Sequence, residues 1–243
     1  MIAIPAIDIM DGACVRLVKG LFNQKKSYSK NPLDIAKAFE DKGITHLHLV
    51  DLDGARMGKP VHLKLLETVA EETSLQIDFG GGIRSLQSIG DVLSAGAQKV
   101  NLGTFLFSRP DVPGRCIESF GKESLIAAVD IKEGKVAVKG WQELAGPDAG
   151  EAVEYLLDAG WRYISVTDIS RDGTMLGPDP AFYKPLVERY PEVRFIGGGG
   201  VASLGDLSML QSFGLYAAVT GKAILEGKIS PEDLSRFNHS PPG

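Results

Sequence analysis

The stretch GGGIRSL at residues 80–86 is matched, 118 residues further along the chain, by GGGVASL at residues 198–204. Two more blocks repeat in the same order. They are IPAIDI (4–9) with IAAVDI (126–131), and NLGT (101–104) with VTGK (219–222). Three matching blocks at nearly one spacing indicate a duplicated unit of about 120 residues. We therefore expect any chemistry carried by one half to have a counterpart in the other.

Short apolar runs alternate with amphipathic stretches along the chain. Several runs, such as LIAAV at 125–129, are almost continuously apolar, which is typical of parallel strands covered on both faces. Strands are predicted at 2–8, 45–51, 75–79, 97–102, 124–130, 161–167, 192–197 and 215–220. Helices are predicted at 32–42, 61–72, 85–95, 110–120, 148–159, 179–190, 203–213 and 231–237. Asn31 is the predicted N-cap of the first helix, with Pro32 at its first position.

Eight strands, each followed by a helical stretch, fit either a closed barrel or an open, doubly wound sheet. The repeat favours a (β/α)8 TIM barrel, because two like half-barrels close on each other by two-fold symmetry. An open sheet favours one glycine-rich turn after its first strand, whereas here such turns follow the third and seventh strands. We expect one domain over 1–243, with halves at about 1–120 and 121–237 and a frayed tail at 238–243.

Composition excludes several classes of function. The net charge of −5 provides no basic surface for nucleic acid or for an anionic membrane. The N-terminus lacks the features of a signal peptide, and no apolar run reaches the length of a membrane span. Cys14 and Cys116 have no metal-ligand spacing, so two reduced thiols are expected. A cytoplasmic monomer that acts on a small molecule is the resulting expectation.

Two aspartates occupy equivalent positions at the ends of opposite strands. Asp8 ends the first strand and Asp130 ends the fifth. The carboxyl ends of barrel strands surround the active site, so the two carboxylates are expected to face each other across it. Such a pair suits general acid–base catalysis, although an aspartate there can also cap a loop. The residues alone do not decide which aspartate is the acid.

Other acidic residues and the histidines have more structural predicted roles. Asp51 and Asp168 are related by the repeat, and each either orients substrate hydroxyls or bonds a loop backbone. Asp53 and Asp172 are interpreted as loop supports, and His48 as a packed or rim residue. No metal site is predicted, because the acidic residues lie in different loops and the histidines show no ligand spacing with a cysteine.

The glycine loops are predicted to bind phosphate. Bare backbone N–H groups followed by a helix start can surround phosphate oxygens. Each triple glycine is followed 21 residues later by another glycine at a strand end. The residues of the two predicted sites are Gly81, Gly82, Gly103 and Thr104 in the first half, and Gly199, Gly200, Gly221 and Lys222 in the second. Two sites on one barrel mouth imply a substrate with a phosphate at each end.

Six runs spread over nearly the whole chain are IPAID (4–8), VRLVKG (15–20), HLVDLDGA (48–55), GGGIRS (80–85), VAVKGW (136–141) and TDISRDGT (167–174). With these runs the chain resembles the ProFAR isomerase family of histidine biosynthesis. The resemblance implies an Amadori rearrangement of an aminoaldose to an aminoketose without cofactor or metal. It also implies that Asp130 is the general acid, Asp8 the general base, and Thr167 a supporting hydroxyl.

The resemblance adds substrate contacts around the mouth. Trp141 is implied to stack on the aminoimidazole carboxamide when its loop closes. The cations Arg16, Arg84 and Arg171 are candidates to reach phosphate or carboxamide, as are residues beside them in the matched runs. The latter are Gly20, which precedes a predicted lid at 21–30, together with Asp168 and Gly173. Arg84 and Thr104 stand opposite Ala202 and Lys222 in the repeat, so the two phosphate sites are expected to differ.

Three alternatives are open at this stage. One is an isomerase that also accepts phosphoribosyl anthranilate, which undergoes the same rearrangement. Another is the related cyclase, which forms imidazole-glycerol phosphate and needs ammonia delivered through the bottom of the barrel. The last is a non-catalytic phosphosugar-binding barrel, which has no need of both Asp8 and Asp130.

Overall fold

The computed structural model describes residues 1–18, 21–27, 31–138, 141 and 143–240. Its twelve strands within these ranges are β1 (Ile2–Met10), β2 (Ala13–Val18), β3 (Leu21–Ser27), β4 (His46–Asp51), β5 (Gln76–Gly80), β6 (Lys99–Leu102), β7 (Leu125–Lys132), β8 (Lys135–Val138), β9 (Glu143–Asp148), β10 (Tyr163–Asp168), β11 (Arg194–Gly198) and β12 (Ala217–Thr220). All eight predicted strands are therefore present.

Eight of the strands form a closed parallel ring. Its order is β1, β4, β5, β6, β7, β10, β11 and β12, and β12 pairs again with β1 through Ile2 and Ala217. The two halves join where β6 pairs with β7 and where β12 pairs with β1. Within the second half, β7 pairs with β10, and Asp130 lies opposite Thr167. The predicted (β/α)8 barrel is thus confirmed. β1 and β7 lie four strands apart in either direction around the ring, so their ends face each other.

The eight predicted helices are present and begin within two residues of their predicted starts, and two short helices, α2 and α9, were not predicted. They are α1 (Pro32–Glu40), α2 (Leu52–Met57), α3 (Leu63–Glu72), α4 (Leu86–Ser94), α5 (Val112–Phe120), α6 (Ala149–Asp158), α7 (Pro180–Arg189), α8 (Leu204–Ser212), α9 (Lys222–Leu225) and α10 (Pro231–His239). The Asn31 side chain accepts from the backbone N–H of Leu33, as expected of an N-cap. Ser85 and Ser203, at equivalent positions in the repeat, both form capping boxes.

Side chains alternate along each barrel strand between two environments. On β7, Ala127 and Val129 belong to the large core between the ring and the helices. Ile126 points into the ring, where a smaller apolar layer closes its lower part. Burial of both faces explains why these strands are almost continuously apolar. It also places Asp130, two residues beyond Ala128 on the inward face, at the mouth of the barrel.

Each half contains a β-hairpin that was not predicted. β1 turns into β2 through Asp11 (φ 53°) and Gly12 (φ 75°), and β7 turns into β8 through Glu133 (φ 53°) and Gly134 (φ 78°). Two successive positive φ values are the signature of a tight hairpin turn that matches strand twist. The predicted lid at 21–30 overlaps β3, which pairs with β2 through Leu21–Ser27, and residues 28–30 lie outside the described residues.

The predicted fraying of the tail from residue 238 is wrong at its start. Helix α10 continues to His239, and Asn238 is fixed to the first strand. Its side-chain oxygen accepts from the backbone N–H of Ala3 at 2.7 Å, and its amide donates to the Ala3 carbonyl at 3.0 Å. Asn238 thereby pairs with the backbone of β1 much as a neighbouring strand does.

Candidate active site

A cavity of about 300 Å³ opens at the carboxyl ends of the barrel strands. Most of the predicted site residues line it together. They are Asp8, Gly81, Gly82, Arg84, Gly103, Thr104, Asp130, Trp141, Thr167, Gly173, Gly199, Gly200, Gly221 and Lys222. This is the end of a (β/α)8 barrel at which active sites are built.

The two predicted catalytic carboxylates enter this cavity from opposite strands. Asp8 is 7% exposed, and Asp130 is partly buried. Burial raises the pKa of Asp130, because a carboxylate loses hydration there. The negative charge of Asp172 also raises this pKa, whereas hydrogen bonds from Trp141 and Thr167 lower it. A carboxyl group with a raised pKa can keep its proton at higher pH and act as a general acid.

Trp141 contacts the carboxylate of Asp130 directly. Its indole N–H donates to Oδ2 of Asp130 at 2.7 Å. Trp141 also has a φ of 70°, a conformation that costs free energy in a residue other than glycine. The structure therefore places Trp141 against the catalytic carboxyl group and over the cavity, as one wall of the site.

The glycine loops of the two halves have matching backbone geometry. Gly81 (φ 117°) and Gly199 (φ 93°) both adopt positive φ. A Cβ on Gly81 would lie 2.2 Å from the carbonyl oxygen of Asp51, and one on Gly199 would lie 2.6 Å from that of Asp168. Glycine is thus required in each loop by the neighbouring strand end, whether or not a phosphate binds there. Both loops leave their backbones on the cavity wall.

The cations beside the two loops are held differently. In the second half, Lys222 donates from Nζ to the carbonyl oxygen of Gly173 at 2.8 Å and lines the cavity. In the first half, Arg84 is exposed, and its guanidinium reaches the carbonyl oxygen of Ala55 at 3.5 Å. The two loops therefore have different cationic side chains beside them, which lie at different depths in the site.

Four candidate residues are not placed in the cavity wall. Asp168 accepts from the backbone N–H of Ser170 at 2.9 Å and lies 3.7 Å from the guanidinium of Arg171. Arg171 also donates to the carbonyl oxygen of Gly177 at 3.0 Å. These two residues brace the loop after β10. Gly20 and the side chain of Arg16 lie outside the described residues.

For two residues of the cavity, Asp172 and His48, the sequence predicted other roles. Asp172 is only 9% exposed and lines the cavity, where its charge acts on Asp130. His48 also lines the cavity, and its Nδ1 hydrogen-bonds to the carboxylate of Asp78. Strict alternation in LHLV (residues 47–50) indicated that His48 points away from its apolar neighbours. In the structure, His48 points into the ring and not towards its rim.

Asp51 and Asp53 instead build the loop after β4. Asp51 accepts from the backbone N–H groups of Gly54 at 2.7 Å and Val61 at 2.6 Å. Asp53 accepts from the N–H of Asp11 at 2.7 Å and bonds Nε2 of His62 at 2.8 Å. Asp51, Asp53 and His62 lie close enough together, among the described residues, to be considered as metal ligands. Their hydrogen bonds to the loop account for this cluster as loop support. The predicted role of Asp53 agrees with its contacts.

The closed ring and the cavity with two carboxyl groups at the carboxyl ends of its strands define a (β/α)8-barrel enzyme. A family model described as "Histidine biosynthesis protein" matches residues 2–230, and the chain belongs to that family. Within the described residues, no helix combines the length and apolar character that crossing a membrane requires.

Curated relatives match the chain over nearly its whole length. A protein of Cytophaga hutchinsonii is 42% identical over 97% of this chain and 98% of its own length. One from Parabacteroides distasonis is 42% identical over 96% and 98%, and one from Halothermothrix orenii is 38% identical over 98% and 100%. Each is named 1-(5-phosphoribosyl)-5-((5-phosphoribosylamino)methylideneamino)imidazole-4-carboxamide isomerase.

Proposed function

We propose that the chain catalyses the isomerisation named for these relatives, an Amadori rearrangement of a bis-phosphorylated aminoaldose (ProFAR) to the corresponding aminoketose. The observation that carries the proposal is the arrangement of the cavity. Asp8 and Asp130 approach from opposite strands, and each lies between the two repeat-related glycine loops. A substrate with a phosphate at each end would be held at both ends, with its reacting sugar at the carboxylates.

Asp130 is proposed as the general acid. Its proton goes to the ring oxygen of the furanose, the bond from that oxygen to C1 breaks, and the nitrogen lone pair forms a Schiff base. Burial favours the protonated carboxyl group before this step, and the indole N–H of Trp141 stabilises the carboxylate after it. Thr167, opposite Asp130 on β10, stabilises the same carboxylate.

Asp8 is proposed as the general base. It takes the proton from C2 of the open-chain Schiff base, and the electron pair moves through C1 to the nitrogen to give an enolamine. Proton transfer from the enol hydroxyl and protonation of C1 then give the ketose, with no net gain or loss of protons. None of these steps requires a metal ion or a redox cofactor.

The phosphate ends are proposed to bind at the glycine loops. One site combines Gly81 and Gly82 with Gly103 and Thr104, and the other combines Gly199 and Gly200 with Gly221 and Lys222. Backbone N–H groups supply the contacts, which suits a chain with an overall negative charge. Since every assigned residue belongs to one chain, we propose that a monomer suffices. A cytoplasmic location, with Cys14 and Cys116 reduced, completes the proposal.

The interior of the barrel favours isomerase over cyclase activity. Below the main cavity, an apolar layer formed by Ile4, Ile126, Tyr163, Ile196 and Ala217 lies across the ring, and a smaller cavity opens beside it towards the bottom of the barrel. Tyr163 is further covered by the ammonium group of Lys99, which lies 3.8 Å from the centre of its ring. Ammonia entering from the bottom would have to pass this layer, whereas an isomerase needs no such passage.

The direct test is an assay of the purified chain with ProFAR and, separately, with phosphoribosyl anthranilate. We expect formation of the aminoketose from the bis-phosphorylated substrate. A parallel purification from host cells that carry the empty vector measures any contaminating host isomerase. If the chain gives no more product than this preparation, the proposed function is wrong. Turnover of phosphoribosyl anthranilate at a comparable kcat/KM would establish the dual-substrate alternative.

A further inference from the structure

The inside of the barrel differs between the halves just below the catalytic carboxylates. In the first half, His48 on β4 pairs with Asp78 at the same level of β5. At the repeat-equivalent positions, the second half has Ser165 on β10 and Ile196 on β11, also paired in register. Duplication alone would have left matching residues, so the His48–Asp78 pair is a feature of one half. The mechanism above does not use it.

The pair is partly buried, and its two members face different cavities. The side chains of His48 and Asp78 are 16% and 9% exposed. His48 lines the main cavity, whereas Asp78 lines a smaller one nearer the bottom of the barrel. Asp78 therefore supports the imidazole from below. Since Asp78 accepts at Nδ1, it fixes both the rotation of the ring and the presence of a proton on that nitrogen.

His48 is also close enough to the catalytic acid to influence its charge. A protonated His48 lowers the pKa of Asp130, against the effects of burial and of Asp172, which raise it. A buried imidazolium requires a counter-charge, because burial alone favours the neutral ring. The Asp78 carboxylate supplies that counter-charge at hydrogen-bonding distance.

We propose that Asp78 is a positioning residue for the isomerase reaction, which holds His48 oriented and charged beneath the catalytic carboxylates. The inference rests on the proposed function and adds a residue to it. Asp78 does not touch the reacting atoms; it acts through His48. Among the described residues, the acidic and basic side chains that share a cavity with the pair are Asp8, Arg84, Asp130, Asp172 and Lys222 in the main cavity, and His46 and Lys99 in the smaller one.

Two substitutions at Asp78 separate charge from orientation. Asp78→Asn keeps an oxygen that accepts from Nδ1 but removes the counter-charge, so His48 loses its proton at lower pH. The pKa of Asp130 then rises. We expect the alkaline limb of the pH profile of kcat/KM, which reports loss of the acid's proton, to move up by about one unit. Asp78→Ala also releases the ring, and we expect kcat to fall about tenfold in addition.

A second set of variants tests whether the effect passes through His48. In a His48→Gln background, Asp78→Asn should move the alkaline limb no further, because the group it acts on is gone. His239→Gln is the control, since His239 lies at the end of helix α10 and lines neither cavity. It should leave kcat and the pH profile unchanged.

The outcomes distinguish this inference from the proposed function. An unmoved alkaline limb in folded Asp78→Asn protein, with wild-type isomerase activity present, overturns the role of Asp78 and leaves the function intact. Additive shifts in the double variant likewise contradict action through His48. Absence of isomerase activity in the wild-type chain overturns the proposed function itself. Circular dichroism and the thermal midpoint show whether each variant is folded.

Discussion

The two halves of this barrel are alike at the rim and different inside. At the rim, each half has a hairpin with a tight turn, a glycine loop with positive φ, a serine-capped helix and a short helical turn after a strand-end glycine. Inside, the first half contains the His48–Asp78 pair, where the second has Ser165 and Ile196.

This comparison separates two kinds of constraint. The glycine loops press against the carbonyl groups of the preceding strand ends, so their sequence is restricted by backbone contact alone. Interior side chains below the mouth are restricted only by volume and by the pairing of buried charges. Duplicated structure therefore persists where the backbone requires it, and chemistry diverges where side chains are free to change.

The largest expected effect is a fall in kcat when either of the two catalytic carboxylates, one from each half, is replaced. Asp8→Asn and Asp130→Asn should each lower kcat by about 10²- to 10⁴-fold, because each removes a proton transfer. Steady-state kinetics with ProFAR measures this. If one variant retains wild-type turnover, the division of labour between the halves is wrong.

One of these variants, Asp130→Asn, should also change how the stability of the fold depends on pH. Since the pKa of Asp130 is raised in the folded chain, ionising it opposes folding at pH values above its unfolded pKa. Stability from this group is therefore greatest at low pH and decreases as the pH rises towards its folded pKa. Asp130→Asn removes this decrease. Denaturant titrations at several pH values should show a smaller loss of stability with rising pH in the variant.

The glycine loops should show a large and symmetric effect on stability. Gly81→Ala and Gly199→Ala place a Cβ against a carbonyl oxygen at positive φ, and each should lower the free energy of unfolding by about 2–3 kcal/mol. Gly205→Ala, inside helix α8 and with only an ordinary contact at 3.5 Å, is the control and should be neutral or stabilising. Equal stability of all three variants in urea would contradict the backbone constraint.

The smallest effect should distinguish the two phosphate sites. Lys222→Met removes a cation held at the cavity wall by Gly173, and should raise KM for ProFAR about tenfold. Thr104→Val, at the equivalent position of the first half, removes a neutral hydroxyl and should raise KM only about threefold. Equal changes in KM would show that the two ends of the substrate are held alike.

Much of the fold follows from local sequence signals. The barrel strands are apolar on both faces, and Asn31, Ser85 and Ser203 cap their helices through contacts within three residues. Asp8 and Asp130 were identifiable because each ends an apolar strand at the same point of the repeat. The hairpin turn at Asp11 and Gly12 also had a local signal, since Asp-Gly between extended segments favours such a turn.

Other features depend on contacts between distant parts of the chain. Asn238 bonds Ala3 across 235 residues, and nothing in the polar tail indicates that partner. His48 meets Asp78 because their strands are neighbours in register, which a pattern within either strand cannot specify. Arg171, a candidate for substrate binding, contacts Asp168 at the end of β10 and the carbonyl oxygen of Gly177 in the loop that follows.

The most direct measurement is the crystal structure of the chain at saturating inorganic phosphate. One phosphate ion is expected at Gly81 and Gly103, and a second at Gly199 and Gly221, with the carboxylates of Asp8 and Asp130 between them. Phosphate at a single loop, or side chains of Asp8 and Asp130 that point into separate cavities, would contradict a substrate held by both halves.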